Sequence, residues 1–157
     1  MHGDKSELFR TYVEGRQKVI FPWSLSIVDC FFVSGAFLKF GDSGSVALSR
    51  ISANGAQVVP VKIVDAYDLY DIDTEANGLE VVLLHEASGS ACYWDVHERF
   101  VVAVGGGDFL ELARPYPSDI ERHRYVEAML HLEDIKCNES AEAIYEALST
   151  RPLAGLT

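Results

Sequence analysis

The chain has 157 residues and sets 13 Lys and Arg against 24 Asp and Glu, a formal net charge of −11. With 48% apolar and 24% charged residues it has the composition of a globular domain, long enough to bury a core without metal or disulfide. That balance excludes a disordered tail or a repeat protein, and it makes nucleic acid and anionic membranes poor partners for a chain with no basic patch.

In chain order the sequence reads as a helix, about six strands and two or three helices, in a single domain spanning residues 1–157. Asp4 and Glu7 stand at capping-box spacing ahead of Leu8, Phe9, Tyr12 and Val13, and Gly15 is placed to end this helix. From Val19 the texture turns strand-like. The run 19–40 is apolar enough to raise a membrane span, but Pro22, Asp29, Gly35 and its serines favour buried strands, with 27–40 as the first of them. Gly41-Asp42-Ser43-Gly44 is a hairpin turn before a strand at 45–51, and Asn54-Gly55 joins that strand to 57–64 as a hairpin. Residues 65–77 form a polar, acidic connection ending at Asn77-Gly78.

Strands follow at 79–85, 91–95 and 100–104, with Val96-His97-Glu98 as a bend. Val81-Val82-Leu83-Leu84 and 100–104 are apolar throughout, so these strands need cover on both faces. The helices supply one cover, and a homodimer partner or a folded-back strand is required for the other. After Gly105-Gly106-Gly107, Asp108 and Glu111 open a helix that stops at Pro115. Ser118 and Glu121 open a second, running to about Glu133, and Asn138 or Ser140 caps a last one that Pro152 closes. The expected class is therefore α+β, with a central antiparallel sheet in the simplest topology, a meander.

Cys30, Cys92 and Cys137 form no CxxC pair, which points to reduced thiols and a cytoplasmic address. The opening Met-His-Gly-Asp-Lys-Ser-Glu has no apolar region and does not read as a signal peptide. The Gly-Asp-Ser-Gly string matches the nucleophile loop of trypsin-like proteases, but only His2 precedes Ser43, so the match is a turn and not a triad. Gly105-Gly106-Gly107-Asp108 lacks a following Lys-Ser and has the spacing of neither nucleotide fingerprint. Asp71, Asp73 and Glu75 alternate like the start of a calcium loop, yet the twelfth position is Val82. His85, His97, His123 and His131 are scattered, and only His123, Glu127 and His131 share a helical spacing. No catalytic set, cofactor or metal site is expected from these residues.

One segment stands out. From Asp65 to Glu98 there are nine acids and no Lys or Arg, densest in Asp65-Ala66-Tyr67-Asp68-Leu69-Tyr70-Asp71-Ile72-Asp73, with Glu75 just beyond. Carboxylates steer and pair with cations while tyrosines offer rigid contact area, so the segment suits a basic protein partner. The plainer reading is a solvated loop. Tyr93-Trp94-Asp95, followed thirteen residues on by Asp108-Phe109-Leu110-Glu111-Leu112, resembles the later half of the SUKH superfamily of bacterial immunity proteins. The resemblance implies a small intracellular α+β protein that neutralises a toxin by binding it, without catalysis. In such an inhibitor Asp65, Asp68, Asp71, Asp73 and Glu75 form a charged rim and Tyr67 and Tyr70 are anchors, and the acidic charge of the chain, not the resemblance, suits a cationic toxin nuclease as the partner. The alternative is a small-ligand or enzymatic domain with a pocket at the Gly105–Asp108 turn, using Asp95, His97 or Glu98.

Overall fold

Strands that are apolar at successive positions need cover on both faces, and the helices of this chain divide to provide it. The computed structural model describes residues 18–22, 24–41, 43–49, 56–76, 80–95, 100–130 and 138–150. Its strands are β1 (Lys18–Pro22), β2 (Ser43–Ser49), β3 (Ala56–Lys62), β4 (Glu80–His85), β5 (Ser90–Asp95) and β6 (Phe100–Val104). All are antiparallel, in the order β1-β6-β5-β4-β2-β3. The helices are α1 (Ile27–Leu38), α2 (Ala66–Glu75), α3 (Gly107–Ala113), α4 (Ser118–Leu130) and α5 (Asn138–Thr150). The chain is an α+β protein.

Successive side chains of β1, β5 and β6 enter opposite cores. Val19 and Phe21 of β1, Cys92 and Trp94 of β5, and Val101 and Ala103 of β6 meet α1, α2 and α3 on one side. Ile20, Ala91, Tyr93, Phe100, Val102 and Val104 meet Tyr125 and Met129 of α4 and Ala141 and Tyr145 of α5 on the other. At β1, β5 and β6 the second face is thus covered by the chain's own helices, and no dimer partner or folded-back strand is needed there. Cover thins toward β3, where Val58 is 65% exposed and Leu84 and Pro60 also reach solvent.

Four expectations need correction. Residues 27–40 are not a strand: 27–38 are α1. The Ser26 hydroxyl accepts from Asp29 N–H at 3.1 Å while the Asp29 carboxylate accepts from Ser26 N–H at 3.0 Å, a complete capping box. Aromatic and β-branched residues cost a helix about half a kcal/mol each. Burying Cys30, Val33, Ala36 and Phe37 gains about 1.5–3 kcal/mol for each large side chain, so tertiary packing decides. Residues 65–77 are not an unstructured connection, because 66–75 are α2. The Gly41–Gly44 segment consequently joins a helix to β2 and is no hairpin turn. The sheet departs from a simple meander as well: β4, β5 and β6 are one, but β1 returns beside β6 and β2 beside β4, leaving β3 at the edge. The expected first helix, Asn54-Gly55, Asn77-Gly78, the bend at 96–98, Cys137, His2 and His131 lie outside the described residues.

Candidate functional site

The acidic segment is built on α2, and its carboxylates divide into three kinds. Asp65 is the N-cap, its Oδ1 accepting from Tyr67 N–H at 2.9 Å and Asp68 N–H at 3.2 Å. Asp68 reciprocates, its Oδ2 accepting from Val64 N–H at 2.7 Å and Asp65 N–H at 3.4 Å. These two acids hold the helix start, where negative charge also suits the macrodipole. Asp73 points inward and is 8% exposed. Its Oδ1 accepts from the backbone N–H of Leu25 and the indole N–H of Trp94, both at 2.8 Å. Burial raises its carboxyl above the ordinary range, and these two hydrogen bonds pull it partly back.

What remains on the outer side is Tyr67 at 63% exposure, Tyr70 at 43%, and the exposed Asp71 and Glu75. Asp71 and Glu75 sit in the second half of α2, against the helix dipole, and no basic residue occupies its last turn. Among the described residues no Lys or Arg pairs with either. The structure therefore brings Tyr67, Tyr70, Asp71 and Glu75 onto the solvent side, keeps Asp65 and Asp68 at its N-terminal end, and sends Asp73 to the core.

Beside α2 lies α1, the middle helix of its layer, packed against both α2 and α3. Its outer side carries Val28, Phe31, Phe32 and Leu38, all exposed, with Phe31 at 57%. The sequence alone places these residues in a buried strand, with no part in a site. The Ser26/Asp29 capping box and the length of the run were the signals that would have found the helix.

The remaining polar clusters are structural. Arg124 pairs with the buried Asp29 at 3.2 Å and lies 4.6 Å over the Tyr116 ring, tying α4 to α1. Glu121 accepts from Tyr145 Oη at 2.6 Å and pairs with Arg114 at 3.1 Å. Burial raises the Glu121 carboxyl, against the pull of Tyr145 and Arg114. His85 is buried, with Nε2 donating to the Gly41 carbonyl at 3.0 Å, Nδ1 2.7 Å from Ser88 Oγ, and its ring stacked on Phe37. His123 and Glu127 form an exposed pair at 3.5 Å. Cys30 and Cys92 are free and buried, and burial pushes the Cys30 thiol up to about 12, far from a reactive thiolate.

Asp71, Asp73 and Glu75 cannot chelate together, because alternate positions on a helix diverge. Among the described residues no group of three or more His, Cys, Asp or Glu is placed to hold a metal. No helix among them is long and apolar enough to cross a membrane. At the Gly105–Asp108 turn the glycines serve packing. A Cβ on Gly105 would lie 2.7 Å from Phe109 Cδ1 and closer still to Ser90 Oγ. Beyond that turn an open groove of about 410 Å³ is lined by Gly107, Leu110, Glu111, Arg114 and Tyr116, with Pro115 and Pro117. Asp95 is elsewhere, 3.3 Å from Tyr93 Oη, and His97 and Glu98 lie outside the described residues. Comparison of the chain with family models, curated proteins and solved structures returned no match.

Proposed function

We propose that this chain is a non-catalytic protein-binding domain, an immunity-type inhibitor that occludes a basic partner such as a toxin nuclease. Its contact face is the outer side of α2. The observation that carries the reading is the pairing of two exposed tyrosines with Asp71 and Glu75, carboxylates that no cation of the described residues neutralises. Such carboxylates raise association rates with a cationic surface, and the tyrosines supply contact area at low entropic cost. Occlusion follows if the acidic face occupies the ground where the partner's phosphate-bearing substrate would lie. The immunity-type form of the proposal rests on the sequence resemblance at 93–95 and 108–112.

The test is capture of partners from the source cell's lysate at low and high salt, comparing the wild-type chain with Asp71→Asn/Glu75→Gln. These two positions are chosen because Asp65 and Asp68 cap α2 and Asp73 is buried, so changing those would disturb the fold. A basic protein held by the wild type at low salt and released by the variant supports the reading. Equal retention by both contradicts it. The groove beside α3 is the one observation behind a small-ligand alternative. A thermal-shift screen reads that alternative directly, because a ligand at ~100 times its dissociation constant adds about 2.7 kcal/mol.

A further inference from the structure

We infer that the outer face of α1 is the docking surface for a basic amphipathic helix of the partner. This rests on the proposal that α2 binds a basic protein, and it adds the apolar half of the contact. Val28, Phe31, Phe32, Gly35 and Leu38 fall at helical spacing along one side of α1, and Phe40 follows. Surface helices ordinarily turn polar residues outward, whereas α1 is apolar on both sides. A single exposed Phe needs no explanation, but a continuous stripe of four large apolar side chains on one helix does. Gly35 sits inside the stripe, and nothing lies within 4 Å of the position a Cβ would take. It leaves a dip between the two phenylalanines and Leu38 into which a partner side chain can fit.

The charges around the stripe choose its occupant. On one side α2 exposes Asp71 and Glu75, and on the other α3 exposes Asp108 and Glu111. An apolar strip on a helix whose two neighbours expose four carboxylates, against the exposed Lys39 beside Leu38, is complementary to a helix with an apolar face edged by Lys and Arg. A second copy of the chain brings the same acids and another −11 charges, and an anionic lipid surface is repelled by the same field. Helical spacing on a strip held between two flanking helices favours a helix over an extended strand.

The test uses the full chain and a fluorescein-labelled Leu/Lys amphipathic peptide of about 18 residues, five helical turns. A scrambled peptide of equal composition and a Leu/Glu counterpart are the comparisons. Binding is read by anisotropy at low and high salt. The expected result is that the wild type prefers the amphipathic basic peptide over its scramble by roughly tenfold or more. Phe31→Ser/Phe32→Ser should abolish that preference, and Asp71→Asn/Glu75→Gln should keep it while flattening the salt dependence. Gly35→Gln, which fills the dip without touching the core, serves if the double Phe variant fails to fold, and it should weaken the preference likewise.

Equal binding of peptide and scramble, unaffected by the α1 variants but weakened by Asp71→Asn/Glu75→Gln, overturns the α1 surface and leaves the α2 reading standing. No binding of either basic peptide removes both. Equal binding of the Leu/Glu peptide removes the basic partner. A dimer in light scattering that Phe31→Ser/Phe32→Ser disperses gives the face to a second copy and overturns the inference.

Discussion

Replacing Asp73 separates the acids that hold the fold from those that face solvent. In Asp73→Ala the N–H of Leu25 and the indole N–H of Trp94 lose the acceptor that now lies 2.8 Å from each. A buried donor left without a partner costs about 1–3 kcal/mol, so two cost about 4. Removing a carboxylate whose charged form burial disfavours returns part of that, since the same burial raises the Asp73 carboxyl. The expected net loss is about 2–4 kcal/mol. At about 2–4 °C per kcal/mol for a chain of this size, the melting temperature falls by roughly 5–15 °C. Asp73→Asn keeps an oxygen at the Oδ1 position and should lie within about 1 kcal/mol of wild type. Guanidinium unfolding with an unchanged m-value reads both variants. A loss below about 1 kcal/mol in the Ala variant, or equal losses in Ala and Asn, would refute the assignment of Asp73 as a twofold acceptor. Asp71→Asn is the control and should leave stability within about half a kcal/mol of wild type, as exposed substitutions do.

Burial raises the carboxyls of Asp73 and Glu121 above their ordinary values of 3.8 and 4.5. Between those values and the raised ones the folded chain holds more protons than the unfolded chain. These two groups therefore stabilise most at the acid end, and their contribution is lost as pH rises through the raised values. Unfolding free energies taken across the acid range should lose part of this slope in Asp73→Asn/Glu121→Gln, and an unchanged slope contradicts the assignment. Gly105→Ala forces a methyl against Ser90 and Phe109 and should cost about 1–3 kcal/mol in thermal unfolding, while Gly107→Ala, with open space inside α3, should cost nothing. Pro60 lies in the edge strand β3, and its missing N–H breaks the row of outward donors. Pro60→Val restores that donor beside the exposed Val58, so concentration-dependent light scattering should report self-association absent from wild type.

The parts of the fold legible in the sequence were those whose local signals agreed with the tertiary outcome. Phe100–Val104 reads as a buried strand and is one, and the pairs Asp108/Glu111 and Ser118/Glu121 fall at the starts of α3 and α4, although Gly106 and not Asp108 is the N-cap of α3. The two helices that escaped notice did so for opposite reasons. In α1 the outward positions, Phe31 and Phe32 among them, are as apolar as the inward ones, which erases the 3.6-residue contrast. In α2 an inward position is the polar Asp73, so the stripe of Ala66, Leu69 and Ala76 is interrupted and the segment looks solvated. The candidate site suffered the same confusion. Composition located the acidic segment and its tyrosines, but a one-dimensional reading could not separate capping acids from a buried acceptor or from the two exposed carboxylates. That separation requires the helix phase.

A basic partner that meets the outer faces of α2 and α1, as proposed, must leave its mark on both helices. The most direct measurement is the amide footprint, by NMR on the isotope-labelled chain, of the protein captured at low salt. Shifts should concentrate at Tyr67, Tyr70, Asp71 and Glu75 and along Val28, Phe31, Phe32 and Leu38, with the groove at Gly107, Leu110 and Arg114 unmoved. Shifts confined to that groove, with α2 silent, would contradict the proposal.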